Sequence, residues 1–391
     1  MRSAIASFLA GAVLVHAQAR PPGWNAVVAG YRDGLQRAGI VGSSLMLVRD
    51  GQIVARDNEG LRNLDTREPV TDDTIYHWAS ITKTFTGIAI MQLRDRGLLS
   101  LDDPVVKYVP ELRSVHDPYG DVSEIKIRHL MSHSAGFRAA TWPWGGDKEW
   151  HPFEPTTWEQ LVAMMPYTEV QFAPGSKYSY SNPGVIFLGR IIQFFSGDDY
   201  EVYVAKNILM PLGMHSTFFD RAPYYLLPNR SHSYFRDDKG LHEGRFDFDT
   251  GITVSNGGLN SPFGDMAKYL AFLLGNEHRP EYDVVLKRSS LDEMWKPQIR
   301  AMEGEGALGP DSHAALSFFL ERYGNVDLIG HSGDQNGFIS HLYLHPPSHT
   351  AWLLSMNTDT TRSATRPGSR DVDARVRELM LKEILGQGMK P

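Results

Sequence analysis

Cysteine is missing altogether from the 391 residues. Its absence excludes disulfides, thiolate metal sites, a cysteine nucleophile and a lipidated N-terminal cysteine. Long apolar runs are missing too: no stretch reaches the roughly 20 apolar residues that a membrane helix needs. There is no basic tract, and a net charge of −7 argues against nucleic acid as a partner. Metal-ligand spacing is also lacking. His129 and His133 are four apart, a spacing that suits one helix face, but no Glu follows His129, so structural roles are expected for both. No metal and no cofactor are expected. With 42% hydrophobic residues, a chain of this length can rely on its own core.

What is present begins with a stretch resembling a secretory signal over residues 1–19. Arg2 supplies the positive start, Ile5 to Val15 the apolar segment, and Ala17-Gln18-Ala19 a small-x-small cleavage site, with cleavage after Ala17 nearly as suitable. An exported protein, periplasmic or extracellular, is the expectation. Residues 20–391 then read as one domain. Trp24 to Ala38 has helical spacing. Ser43 to Arg49 and Gln52 to Arg56 flank Asp50-Gly51, a strong hairpin signal. From about 99 to 256, short helical patterns alternate with Pro- and Gly-rich links, so a mostly helical insertion is expected there. Strand patterns return at Leu316 to Glu321, Val326 to Gly330, Ile339 to Leu344 and Ala351 to Met356, before a closing helix from Val372 to Leu385. The layout is a discontinuous α/β part, about 24–98 and 257–391, around that insertion.

Three pieces of chemistry stand out. Ser80-Ile81-Thr82-Lys83 opens an apolar helix that runs toward Gly97, with hydroxyl and amine one turn apart on the same face. Ser80 can be an N-cap or a nucleophile with Lys83 as its base. Ser123-Glu124-Ile125-Lys126 repeats the spacing but lies in a polar approach, so context separates the two. Tyr178-Ser179-Tyr180-Ser181-Asn182 precedes a second apolar helix, Val185 to Phe195. There Tyr180 and Asn182 can point into a cleft or serve as turn and cap. Gly330-His331-Ser332-Gly333 follows a strand, where small residues allow close backbone approach or simply a turn. Gly330-His331-Ser332-Gly333-Asp334 lacks the final Gly and the strand–elbow–helix setting of a Gly-x-Ser-x-Gly elbow. Asn229-Arg230-Ser231 fits a glycosylation acceptor and carries little weight. Trp142, Trp144 and Trp150 lie in a Gly/Pro-rich loop, either at a substrate entrance or self-packed on the surface.

Ser-x-x-Lys, Tyr-x-Asn and a small-residue triplet, in that order, resemble the penicillin-recognising serine hydrolases: class C β-lactamases, low-molecular-weight penicillin-binding proteins, and their esterase and D-peptidase relatives. Ile127-Arg128-His129-Leu130-Met131-Ser132-His133-Ser134-Ala135-Gly136, Phe172-Ala173-Pro174-Gly175, Pro211-Leu212-Gly213-Met214 and Gly257-Gly258-Leu259 look like the same family, and the resemblance runs from about Tyr31 to Asn357. It implies a β-lactamase-like fold, an antiparallel sheet flanked by helices with the helical region inserted. It implies Ser80 as the acylated nucleophile and Lys83 and Tyr180 as proton-transfer partners, with the acylation base left open between the two. Asn182 would orient substrate and lysine, His331, Ser332 and Gly333 would form the binding strand, and the N–H groups of Ser80 and Asp334 the oxyanion hole. Burial is expected to lower Lys83, and a nearby ammonium to lower Tyr180.

The departure is His331, where the family pattern most often has lysine. A histidine largely neutral at pH 7 suits a carboxylate poorly, which points away from β-lactams and strict carboxypeptidase substrates toward an esterase, peptidase or amidase. A small molecule or peptide is the expected partner. The competing reading is a sensor that binds a peptide or peptidoglycan-like ligand with little turnover. Retention of Ser80, Lys83 and Tyr180 together favours the enzyme.

Overall fold

The computed structural model describes residues 20–139, 155–246, 248–275, 280–301 and 311–386. The stretch resembling a signal, and Trp142, Trp144 and Trp150, lie outside those residues. The helix Trp24–Ala38 turns one face inward, burying Trp24, Val27, Val28, Tyr31 and Leu35, and Gly39 ends it at φ 67°. Strands Gly42–Arg49 and Gln52–Asn63 follow, joined at Asp50 (φ 51°) and Gly51 (φ 71°). Positive φ at both central positions is the type I′ turn that Asp-Gly favours.

Among the described residues the main sheet has nine strands. Gly42–Arg49 pairs on one side with Gln52–Asn63 and on the other with Thr350–Met356, all antiparallel. Beyond Thr350–Met356 come Phe338–His345, Val326–Gln335 and Phe319–Tyr323, again antiparallel. Side chains alternate between the two faces. Leu45, Leu47, Tyr343, Trp352 and Leu354 pack with the Trp24–Ala38 and Ser369–Leu379 helices. Met46, Val48, Leu342, Leu344 and Leu353 pack with the helices Thr82–Asp95 and Phe263–Leu274. The antiparallel sheet flanked by helices is therefore the observed architecture.

Among the described residues between 99 and 256 the elements are mainly helical, the longest being Asn182–Ser196, but three short strands are present: Phe218–Phe219, Tyr234–Asp237 and Gly240–Glu243. Each is at most four residues, too short for an alternation to register. The late strands are displaced from their expected bounds. Phe319–Tyr323 begins after Leu316, and Val326–Gln335 continues five residues past Gly330. Residues 331–335 are thus strand, not the turn that their small residues resemble. The turn is Asn336-Gly337, at φ 50° and 83°.

Gly333 explains why that strand contains so small a residue. A Cβ there would lie 2.2 Å from Trp78 O and 2.6 Å from Ser340 Oγ. Gly333→Ala should lower stability by about 3 kcal/mol, the upper end of ordinary overpacking, measured by urea denaturation. Gly264→Ala is the matched control: it sits within the Phe263–Leu274 helix with nothing within 4 Å of the added Cβ, and should be neutral or slightly stabilising.

Candidate active site

Ser80 is placed by a tightly tied turn. The strand Ile75–His77 delivers the chain to a single 3₁₀ turn, Ala79–Ile81, and the helix Thr82–Asp95 follows directly. Trp78 is fully buried; its N–H donates to Leu259 O at 2.8 Å and its Nε1 to Ser261 O at 2.8 Å. Thr82 Oγ1 donates to Ala79 O at 2.6 Å and accepts from Leu259 N at 3.0 Å. Ala79 has φ 47°, a conformation that costs a non-glycine residue energy and persists only where its surroundings enforce it. These ties hold the half-buried Ser80 at the head of a buried helix. Gly97, at φ 73°, follows its end as the spacing predicts.

Lys83 is 1% exposed, and its Nζ donates to Ser80 Oγ at 3.0 Å and to Asn256 O at 2.8 Å. The same Nζ stands 5.0 Å from the centre of the Tyr180 ring. Tyr180 also interacts with Ser80, so the three side chains come together although Tyr180 follows Ser80 by about 100 residues in the chain. One expectation is overturned here: Tyr180 is raised, not lowered. Burial outweighs the bond to Ser80, and the Asp334 carboxylate adds to the rise. The phenol therefore stays protonated in the resting site.

Asn182 is the first residue of the helix Asn182–Ser196. Ser181 is its N-cap, accepting from Gly184 N at 3.1 Å, so the Asn182 amide is spared from capping. Its Oδ1 is buried and makes no hydrogen bond among the described residues. The contact expected to orient Lys83 is supplied instead by the Asn256 carbonyl. Asn256, whose Nδ2 is likewise buried without a partner, was not singled out by sequence; the adjoining Gly257-Gly258-Leu259 was its nearest signal.

His133 is the second residue that sequence reasoning assigned no place in the site. It lies past the end of the short helix Ile127–Met131, at φ 54°, so it and His129 do not share a helix face. His133 Nδ1 accepts from Ser181 N at 3.1 Å, and its ring stacks on Tyr180 with centroids 4.4 Å apart. Burial holds its pKa well below the usual range, with Lys83 and His331 adding repulsion. His133 is thus a neutral wall behind Tyr180. His129 has a separate task, its Nδ1 accepting from Lys126 N at 3.3 Å. Ser123 is exposed within the turn Val122–Glu124, and Arg230 is buried and donates to Asn260 Oδ1 at 2.6 Å.

The strand Val326–Gln335 closes the pocket. A two-residue type I′ turn makes Gln335 and Phe338 a hydrogen-bonded pair, so alternation leaves Asp334 and Ile339 non-bonded across the ladder. The Asp334 N–H consequently points away from the Phe338–His345 strand. On that outer side the neighbouring strand has already ended, its last partner being Phe319 opposite Gly330. Among the described residues the backbone from His331 to Gln335 thus has one edge to which no strand pairs. Ser332 is half-buried and its carbonyl accepts from His331 Nδ1 at 2.6 Å. The Asp334 carboxylate pairs with Arg370 at the start of the Ser369–Leu379 helix. His331 is 2% exposed, with its ring 6.3 Å from Tyr180 and 5.1 Å from Phe319, centroid to centroid. Among the described residues no group of three or more His, Asp or Glu is arranged to hold a metal.

A family model described as Beta-lactamase matches residues 25–375. "Beta-lactamase-like protein 2" of Dictyostelium discoideum is 28% identical over 336 residues, 83% of this chain but 57% of that protein. Among solved structures, the octameric penicillin-binding protein homologue from Pyrococcus abyssi superposes with a TM-score of 0.77 at 26% identity, covering 93% of this chain and 78% of that one. The D-amino acid amidase from Ochrobactrum anthropi SV3 superposes at 0.74, with 22% identity, covering 93% and 99%; that likeness is one of fold.

Proposed function

This chain belongs to the beta-lactamase family, and from that premise we propose that it is an exported serine hydrolase that cleaves an ester or amide through an acyl-enzyme on Ser80. The observation that carries this is the 3.0 Å contact between Lys83 Nζ and Ser80 Oγ in a pocket that also contains Tyr180. A hydroxyl becomes a competent nucleophile when a neighbouring base takes its proton. In this reading Lys83 acts as its neutral amine: it receives the Ser80 hydroxyl proton and passes it to Tyr180, kept neutral by burial, which gives its own phenolic proton to the leaving group. The N–H groups of Ser80 and Asp334 stabilise the oxyanion, each donor contributing about 3–4 kcal/mol to barrier lowering. The unpaired strand edge from His331 to Gln335 lets an extended substrate lie alongside by backbone hydrogen bonding. Asn182 and Asn256 offer it two further polar atoms.

The test is intact-mass and turnover measurement with a fluorophosphonate, p-nitrophenyl acetate, D-amino-acid amides and nitrocefin. A single adduct on the Ser80 peptide together with catalytic turnover of an ester or amide is the expected result. An adduct without turnover on any of the panel would establish a sensor instead, and neither adduct nor turnover would remove the acyl-enzyme reading. The export part rests on residues 1–19. N-terminal sequencing of the protein from its native host should begin after Ala17 or Ala19, and a chain that retains those residues would reject it.

A further inference from the structure

Asp334 brings a difficulty to the oxyanion site. Its N–H is one of the two proposed donors, yet the same residue carries a carboxylate. An anion so near opposes the negative charge that develops on the reacting oxygen. The pocket feels it: burial raises the Tyr180 phenol, and the Asp334 charge raises it further. Arg370 answers that charge, its Nη2 donating to Asp334 Oδ2. Burial raises the Asp334 carboxyl above its ordinary value, and Arg370 works against that rise. Asp359 lies in the same field, raised by burial and by Asp334 and lowered by Arg370. Helix stability does not account for the cation. It occupies the first turn of Ser369–Leu379, where the positive end of the dipole disfavours it. That helix packs on the face of the sheet opposite the Thr82–Asp95 helix. The pair therefore holds the carboxylate on the side away from Lys83, while the N–H of the same residue projects from the strand edge.

We infer that Arg370 is a positioning residue for the reaction: its ion pair turns the Asp334 carboxylate away and neutralises it, so that the Asp334 N–H can stabilise the oxyanion. The inference rests on the hydrolase reading, since only acyl transfer puts negative charge at that N–H. Without Arg370 the carboxylate loses the cation that compensates it. The cost falls on the transition state, so it enters kcat rather than KM. The Asp334 and Arg370 side chains are 39% and 53% exposed, so mobile ions reach the pair and screen an unmatched charge there. A purely structural role for Arg370 would show no such dependence on salt.

The experiment is a double-mutant cycle in the full-length enzyme with p-nitrophenyl acetate as substrate. It compares the unmodified protein, Arg370→Gln, Asp334→Asn and the double variant. At about 20 mM ionic strength Arg370→Gln should lower kcat about five- to tenfold with KM within about twofold, the size expected of one unmatched charge in partly solvated surroundings. At about 0.5 M NaCl the deficit should shrink to about twofold or less. In the Asp334→Asn background Arg370→Gln should change kcat by less than about twofold at either salt concentration. Arg370→Lys, which keeps the charge but not the planar fork, should recover most of the lost rate. Thermal melting verifies folding, and Arg370→Ala takes the place of Arg370→Gln if that variant fails to fold. A deficit of equal size in both backgrounds, one indifferent to salt, one confined to KM, or no deficit at all overturns the inference. Those outcomes leave the hydrolase reading intact, whereas absence of turnover in the unmodified enzyme removes both.

Discussion

Ser80→Ala should lower kcat for a p-nitrophenyl ester by roughly 10⁴- to 10⁶-fold, the loss typical of removing a nucleophile from a site whose groups act as a unit. The fold should not suffer. Ser80 is half-buried, and its Oγ accepts from Lys83, which keeps its bond to Asn256 O when the hydroxyl is gone. A change in unfolding free energy within about 1 kcal/mol is expected, with a small gain the natural direction where a site is strained for function. Companion variants separate the roles. Lys83→Ala should be nearly as severe for the reaction but should also destabilise, because it empties a buried space. Tyr180→Phe retains the ring packed between His133 and His331 and removes only the hydroxyl. It should cost kcat about 10²-fold if the phenol moves a proton, and leave the melting temperature almost unchanged. Undiminished turnover by Ser80→Ala would place the nucleophile elsewhere.

The second large effect lies on the other face of the sheet. His341 is buried between two carboxylates, its Nδ1 2.9 Å from Asp373 Oδ2 and its Nε2 3.3 Å from Glu321 Oε1. Tyr343 OH also donates to Asp373 at 2.9 Å, and Arg377 Nη1 reaches Tyr343 OH at 3.0 Å. Burial alone would lower the imidazole, but the two carboxylates overcome it and raise it to about 9. Asp373→Ala therefore leaves a buried cation with half its compensation, and should cost about 3–5 kcal/mol by denaturant unfolding at pH 7. The sign of the pH dependence follows from the raised value. The contribution of His341 is fully present below its unfolded pKa of about 6.5 and is lost as pH rises through about 9. The shift corresponds to roughly 3 kcal/mol. Stability should thus decline from pH 7 to pH 10 more steeply than in Asp373→Asn, where the raised pKa is largely abolished. Parallel profiles for the two proteins would refute the assignment.

Local signals are legible in this sequence and non-local ones are not, for reasons visible residue by residue. The Trp24–Ala38 helix and the Asp50-Gly51 hairpin depend on spacing and on turn chemistry carried by adjacent residues. Ser80 and Lys83 were legible because one helical turn brings them together whatever surrounds them. By composition alone the stretch from His331 to Asp334 suits either a strand edge or a turn, because Gly and Ser are common in both. Gly333 is small for a different reason, the backbone of Trp78 passing against it, and no window of sequence contains both residues. The direction in which Tyr180 shifts is not legible in the sequence, because the balance between burial and a neighbouring charge depends on how deeply the ring is covered. His133 looked like half of a weak metal pair; its position against Tyr180 and Ser181 arises only when the loop before Asn182–Ser196 folds back over it. Asn256 offered a main-chain oxygen, which no side-chain pattern advertises.

The pairing of Gly42–Arg49 with Thr350–Met356 has a consequence for biosynthesis. Ser43 Oγ bonds Ser355 O across 312 positions, so the middle of the sheet cannot be assembled until almost the whole polypeptide has been made. Meanwhile the first hairpin has an apolar, unsatisfied flank open to neighbours, a state prone to self-association. A nascent chain stalled before Thr350 should consequently behave as a client for holding chaperones, and slow, late closure should limit the yield of native protein more than any step in forming the helices around Ser80.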